Sequence, residues 1–223
     1  MNTAKTPLIL ALPKGRILQQ IMPLLASVGI EPEAGFYAEG DRRLRFSTSV
    51  EGLEIIRVRS FDVATFIAYG AAQIGVAGSD VLMEFEHPEI YAPLDLNVGK
   101  CRLVVASEER LAKTEDPRSW SHVRVATKYP NVTTKYFAHR GVQAECIKLN
   151  GAMELAPTIG LCRRIVDLVE TGSTLKANGL VEIEQIADIS SRLVVNRTAF
   201  KQSPELIGGW VDKFRHALDI SPK

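Results

Sequence analysis

Cysteine is scarce in this 223-residue chain: Cys101, Cys146 and Cys162 stand far apart and are odd in number. Without a Cys-x-x-Cys or a paired histidine spacing, neither a disulfide framework nor a zinc module is indicated, and the expectation is free, buried thiols in a reducing cytosol. Histidine is equally thin. His87, His122, His139 and His216 are scattered and read as surface or packing residues. Charge of one sign is also missing. The net charge is +1, so no global field steers the chain to nucleic acid or membrane, and an anionic substrate has to be met by local basic groups. No apolar run approaches a membrane span. The run Leu8–Leu12 is too short for a signal-peptide core, and no small-residue cleavage site follows it. Repeats and low-complexity segments are absent.

What remains is an ordinary globular composition, 46% hydrophobic and 24% charged, long enough for one large or two small domains. Short apolar runs alternate with helical periodicity. Leu8–Leu12 reads as a strand, Pro13-Lys14-Gly15-Arg16 as a basic turn, and Ile17 to Val28 as a helix that Gly29 ends and Pro23 should kink or break. Asp41–Phe46 enters a strand with Arg43 and Arg45 on one face. After Leu53–Val58, Asp62 is a plausible N-cap for a helix reaching Tyr69, and Gln73–Ala77 runs into Gly78-Ser79-Asp80, with Asp80 by default an N-cap.

Tyr91–Gly99 reads as a loop and then a short strand, Cys101–Ala106 as a strand, and Ser107–Ser121 as surface helix or loop. Val123–Thr127 leads to Lys128-Tyr129-Pro130, with Asn131 as a cap and Tyr129 either packing a flat base or serving as a loop aromatic. Ala144–Leu149 precedes a helix starting at Glu154. Ile183–Val195 is strand material interrupted over Asp188–Arg192, and a last helix from Pro204 has Leu206, Ile207, Trp210, Val211 and Phe214 as its apolar face. This alternation predicts parallel α/β architecture in two lobes with a cleft between them. Lys14 and Arg16 would then stand at the carboxyl end of a strand, where open α/β sheets bind ligands, and cations at the positive end of a helix dipole suit an anionic partner.

The most informative stretch is Ile165–Leu180. The apolar run Ile165–Val169 reads as a buried strand, with the carboxylates Asp167 and Glu170, and then turns abruptly polar at Thr171-Gly172-Ser173-Thr174 before a short helical turn closed by Asn178-Gly179. Hydroxyls and outward N–H groups at a helix start suit a phosphate, and carboxylates one step upstream suit ribose hydroxyls. The plain alternative is a strand followed by a Thr/Ser N-cap. A P-loop is excluded, because no Gly-Lys-Ser/Thr follows the glycine.

Val166–Leu175 with Asn178-Gly179-Leu180 resembles the phosphoribosyl-pyrophosphate loop of ATP phosphoribosyltransferases. Lys14-Gly15-Arg16, Gly75–Asp80, Ala126–Asn131 and Met153–Pro157 match further anchors in order along nearly the whole chain. The resemblance implies a type IV phosphoribosyltransferase fold, similar to periplasmic binding proteins, with residues 1–100 plus 185–223 in lobe I and 101–184 in lobe II. It implies that Glu154, Asp167, Glu170, Thr171, Gly172, Ser173 and Thr174 bind phosphoribosyl pyrophosphate. Gly15, Gly78, Asp80, Lys128 and Tyr129 would bind ATP. Lys14, Arg16 and Arg42 would act on the leaving pyrophosphate, Arg42 by reaching a neighbouring subunit's site in a homodimer. The metal would be magnesium carried by the substrates, with no protein metal site.

Length resembles the short form of the family, whose subunits assemble as a cytoplasmic hetero-octamer with a regulatory subunit similar to histidyl-tRNA synthetase. The reaction implied is transfer of the 5-phosphoribosyl group to N1 of ATP, giving pyrophosphate, as the first step of histidine biosynthesis. N1 carries a lone pair, so no strong base is needed, and positioning and charge stabilisation do the catalytic work. One departure stands out: the family usually has Gly-Leu-Ala-Asp or Gly-Leu-Gly-Asp before the loop strand, and here it is Gly160-Leu161-Cys162-Arg163-Arg164, with a basic pair in place of a carboxylate. The competing readings are another phosphoribosyltransferase with a different base as acceptor, and a non-catalytic two-lobed binding protein.

Overall fold

The computed structural model describes residues 7–38 and 40–220. In chain order the elements are β1 (Leu8–Pro13), α1 (Arg16–Ser27), β2 (Arg45–Ser47), β3 (Leu53–Val58), α2 (Ser60–Ala68), β4 (Ile74–Gly78), α3 (Ser79–Phe85), β5 (Ile90–Asp95), β6 (Cys101–Glu108), α4 (Glu109–Thr114), β7 (His122–Thr127) and α5 (Pro130–Ala138). They continue as β8 (Gln143–Lys148), α6 (Leu155–Thr158), β9 (Arg164–Val169), α7 (Ser173–Ala177), β10 (Leu180–Ile189), β11 (Ser191–Asn196), α8 (Arg197–Gln202) and α9 (Pro204–Ile220). The chain forms two compact α/β units. The first holds residues up to Leu82, Glu86–Gly99 and the chain from Ser190 on; the second holds Met83–Phe85 and Lys100–Ile189.

The first unit is built on a six-stranded sheet in the order β2-β3-β1-β4-β11-β5. Every residue of β1 is buried, as expected of a central strand covered on both faces. Its alternation divides the core. Leu8, Leu10 and Leu12 pack with Ile21, Leu24 and Leu25 of α1 and with Ile207, Trp210, Val211 and Phe214 of α9. Ile9 and Ala11 pack with Val63 and Ile67 of α2. Burial of one large aliphatic side chain is worth about 1.5–3 kcal/mol, so these two layers hold β1, and with it the turn that follows, in a fixed place.

The second unit has a five-stranded sheet in the order β10-β6-β9-β7-β8. Val104, Ala106, Ala126, Ile165 and Val169 form one apolar face with Met153, Ala156, Leu175 and Leu180. The last residues anchor α6 and α7, the two short helices beside the candidate loop.

Both sheets are mixed rather than purely parallel. β1 runs parallel to β3 and β4, but β11 is antiparallel to β4 and β5. β7 is parallel to β8 and β9, while β6 is antiparallel to β9 and β10. β2 is also antiparallel to β3, and the chain passes between the units after β5 and after β10. β10 stays paired with β6 through Ile189, so residues 185–189 lie in the second unit and the return falls at Ser190, the one break in the expected interruption over Asp188–Arg192.

Other local expectations shift for physical reasons. α1 runs unbroken through Pro23; the carbonyl that proline leaves without a donor belongs to Gln19, which is exposed to water. The caps of α2, α3 and α5 are Arg59, Gly78 and Tyr129. Asp62 and Asp80 sit inside the first turn, where a carboxylate still meets the positive helix end. Strand precedes loop over Tyr91–Gly99, because Ile90–Asp95 pairs with β11. Of the basic run only Arg45 enters β2, and Leu44 is exposed. Leu206 is exposed while the rest of the expected α9 face is buried.

Candidate functional site

In the first unit, β3, β1 and β4 lie side by side and parallel, so their following turns emerge along one edge. After β1 comes Lys14-Gly15-Arg16. The Lys14 N–H donates to the Val58 carbonyl at 2.8 Å, tying the turn to the end of β3. Gly15 has φ 89 and ψ −149, a region essentially restricted to glycine. A Cβ there would meet nothing within 4 Å, so backbone conformation alone demands the glycine. The side chains of Lys14 and Arg16 are both exposed on either side of it.

After β4 comes Gly78-Ser79-Asp80. The Ser79 N–H donates to the Ser190 carbonyl at 2.9 Å. Asp80 is only 6% exposed, and its Oδ1 folds back so closely that a Cβ on Gly78 would stand 2.0 Å away. A side chain at this position would have to displace the Asp80 carboxylate. Arg42 lies at the flank of this edge: the Leu44 carbonyl two residues on accepts from the Arg57 N–H at 2.8 Å, beside the end of β3. Its neighbour Arg43 is committed to Asp41 and Glu33 at 2.7 and 2.8 Å, whereas Arg42 is exposed and makes no ion pair among the described residues. The hydrogen bonds from the Arg43 side chain and backbone hold the Asp41 carboxyl below the usual range.

The second unit repeats the arrangement. β9, β7 and β8 are adjacent and parallel, and deliver Glu170–Thr174, Lys128–Tyr129 and the segment leading to Glu154 along one edge. β9 reaches beyond its register with β7, where Thr127 pairs with Val166. Asp167 lies in this overhanging part, with Oδ1 accepting from the Leu168 N–H at 2.8 Å. Gly172 is left-handed, φ 78 and ψ 1, and is the N-cap of α7 with no side-chain cap. The Thr171 and Ser173 hydroxyls are 3.0 Å apart. Glu170, Thr171, Ser173 and Thr174 are all exposed, and Leu175 pins the turn to the core. The loop therefore presents hydroxyls and first-turn N–H groups on an anchored backbone, with carboxylates directly behind, an arrangement suited to a phosphate and a ribose. Glu154 is partly exposed at the start of α6.

Tyr129 differs from the picture of a stacking aromatic. It is 2% exposed, and its N–H donates to Thr127 Oγ1 at 2.9 Å. Its ring is core, and Lys128, partly exposed, is the side chain the turn presents. Sequence reasoning also missed Glu84, 8% exposed, which accepts from the N–H groups of Asn131 at 3.1 Å and Val132 at 3.0 Å. No local pattern signals a contact spanning 47 residues.

The Arg163-Arg164 departure lies at the opposite end of β9 from the loop. Arg164 is 6% exposed, pairs with Glu115, and stacks 3.9 Å above the Trp120 ring. Arg163 reaches the other Glu115 oxygen at 3.2 Å. Burial lowers the Arg164 pKa from its usual range, and Glu115 opposes that. Glu115 thus supplies the charge balance of the basic pair, in the wall of a cavity of about 870 Å³ at this far edge. Burial likewise pushes the Cys162 and Cys146 thiols up.

Comparison with known proteins identifies the family. The family model for ATP phosphoribosyltransferase matches residues 59–216. A protein named ATP phosphoribosyltransferase from Rhodospirillum rubrum is 64% identical over 212 residues, covering 95% of this chain and 93% of its own. One of the same name from Paramagnetospirillum magneticum is 63% identical over 210 residues, covering 94% and 96%. Among solved structures, the ATP phosphoribosyl transferase (HisG:HisZ) complex from Thermotoga maritima contains a chain that matches with a TM-score of 0.81 at 33% identity, covering 96% of this chain and 100% of that one. By sequence and by fold, the chain belongs to the ATP phosphoribosyltransferase family.

Proposed function

We infer that this chain transfers the 5-phosphoribosyl group of phosphoribosyl pyrophosphate to N1 of ATP, forming N1-(5-phosphoribosyl)-ATP and pyrophosphate, the reaction that opens histidine biosynthesis. The observation that carries the reading is the Glu170–Thr174 loop: a left-handed Gly172, hydroxyls on either side and Asp167 behind it, in a chain 64% identical to a protein named for this activity. The 5-phosphate sits on Thr171–Thr174, and Asp167, Glu170 and Glu154 accept from the ribose hydroxyls. Gly15, Gly78 and Asp80 of the first unit, and Lys128 and Tyr129 of the second, are the proposed ATP-binding residues. Lys14 and Arg16 stabilise the departing pyrophosphate, and Arg42, exposed and uncommitted to an ion pair among the described residues, serves the site of a second copy in a homodimer.

No proton has to be taken from N1 for it to attack, so the protein's task is to align two anionic substrates and to balance charge as the ribose becomes cationic. A magnesium ion fits this donor set as a substrate-borne group. A magnesium ion favours phosphate oxygens and retained waters. Asp167 and Glu170 would hold the ion through its waters, and the ion would supply charge neutralisation on the leaving group.

We place the phosphoribosyl-pyrophosphate site in the second unit and the pyrophosphate-binding basic turn in the first. The solved neighbour is a two-component complex, which supports assembly with a separate partner protein; we propose that this partner is a regulatory subunit resembling histidyl-tRNA synthetase and that the assembly is a hetero-octamer. No described helix is long and apolar enough to cross a membrane, in keeping with a cytoplasmic enzyme. Replacing Arg16 by alanine tests the assignment: turnover falls steeply while the melting temperature stays close to the parent's, and unchanged kinetics would remove the basic turn from the site.

A further inference from the structure

The N-terminus of a helix directly after a parallel strand is a ready phosphate site in α/β proteins. α5 stands in that position after β7. Its first-turn donors can be accounted for one by one. Pro130 has no N–H. Asn131 and Val132 both donate to the Glu84 carboxylate, at 3.1 and 3.0 Å. Thr133 donates to the Tyr129 carbonyl at 2.9 Å. The Asn131 side-chain amide adds a bond to the Glu84 carbonyl at 3.0 Å. A buried carboxylate of the protein's own thus occupies the place a phosphate would take. At α7, by contrast, no side chain caps the helix, and among the described residues the Ser173 N–H donates to the Thr171 hydroxyl at a long 3.4 Å.

We propose that Glu84 is a positioning and specificity-determining residue: it fills the α5 N-terminus, fixes the Lys128–Tyr129 turn, and denies that turn to substrate phosphates. The sugar phosphate is thereby directed to the Gly172 loop, and the Lys128 turn contributes its ammonium rather than its amides to ATP. This rests on the reading of that turn as part of the ATP site.

The test uses inorganic phosphate as the probe. In Glu84→Ala the amides of Asn131 and Val132 lose their carboxylate, and phosphate can replace it. Phosphate should then raise the melting temperature of Glu84→Ala well beyond its effect on the parent chain, and should inhibit the variant competitively with ATP at a concentration lower by about tenfold, the size of one charge-assisted hydrogen bond. Equal stabilisation and equal inhibition of the two proteins would overturn the proposal.

Where Glu84→Ala does not fold, Glu84→Gln serves. Its amide oxygen satisfies one N–H and its NH₂ opposes the other, so the KM for ATP should rise several-fold while that for phosphoribosyl pyrophosphate stays within about twofold. Parallel shifts in both constants, or none, would refute a positioning role. Lys128→Ala separates the two layers of the argument. If it leaves the KM for ATP unchanged, the reading of the turn as an ATP site fails, and the phosphate response of Glu84→Ala still decides what Glu84 does at the helix end.

Discussion

Replacing Gly15 by alanine isolates what backbone conformation contributes to the basic turn. At φ 89 and ψ −149 an L-residue pays about 1–3 kcal/mol, and the open space around the missing Cβ, with nothing within 4 Å, means that no packing clash adds to it. Gly29, just past α1, is the natural control: φ is +79 and its Cβ site is equally open, so alanine there costs about 1–2 kcal/mol. Both variants should therefore shift the urea midpoint by roughly 1 M or less, given a slope of about 3 kcal/mol per molar, the upper end of the small-protein range, for a chain of this length.

Their kinetics should part. The chain at Gly15 sets the directions of Lys14 and Arg16, and an alanine that relaxes toward an ordinary region turns both. A displacement of about 1 Å at a charge-stabilising group costs about 100-fold in rate, so kcat/KM of Gly15→Ala should fall by roughly that factor while Gly29→Ala keeps the parent's value. Steady-state assays beside urea melts decide it. Normal turnover by Gly15→Ala, or an equal loss in both variants, would refute the claim that this turn aims the two cations.

Further outcomes follow from other parts of the molecule. Asp167→Asn and Glu170→Gln should each weaken phosphoribosyl pyrophosphate binding by about tenfold, one charge-assisted hydrogen bond, as calorimetry can measure, with ATP binding unaffected. Glu115→Gln takes the counterion from the buried Arg164 and should cost about 3 kcal/mol of stability without changing kcat, since it lies at the far end of β9 from the loop. The Asp41 carboxyl is held low by Arg43, so its contribution is present above the unfolded carboxylate range and lost as pH falls through its folded value. Acid unfolding of Arg43→Met should consequently lack that part of the pH dependence.

The turns of the candidate site were legible because each is an apolar run broken by glycine and polar residues: Leu8–Leu12 before Gly15, Gln73–Ala77 before Gly78, Ile165–Val169 before Gly172. Local pattern suffices when strand, turn and helix are consecutive. It does not suffice for strand direction: β11 inserts between β4 and β5 from about a hundred residues away, and nothing near Ser191–Asn196 announces an antiparallel partner. The same holds for caps. Asn131 looks like an N-cap from its neighbours alone, but Glu84 from α3 holds its amide and the cap falls on Tyr129. Tyr129 next to a lysine in a turn reads as a surface aromatic, and only the packing of the second unit shows it to be core. Arg163-Arg164 was an unexplained basic pair until Glu115 and Trp120 were found beside it.

The central claim is tested most directly by following ultraviolet absorbance as the purified chain is mixed with ATP, phosphoribosyl pyrophosphate and magnesium, with pyrophosphatase present to draw the reaction forward. The account predicts an absorbance rise that requires both substrates and is abolished when Lys14 and Arg16 are both replaced by alanine. No product, together with no calorimetric binding of either substrate, would contradict it.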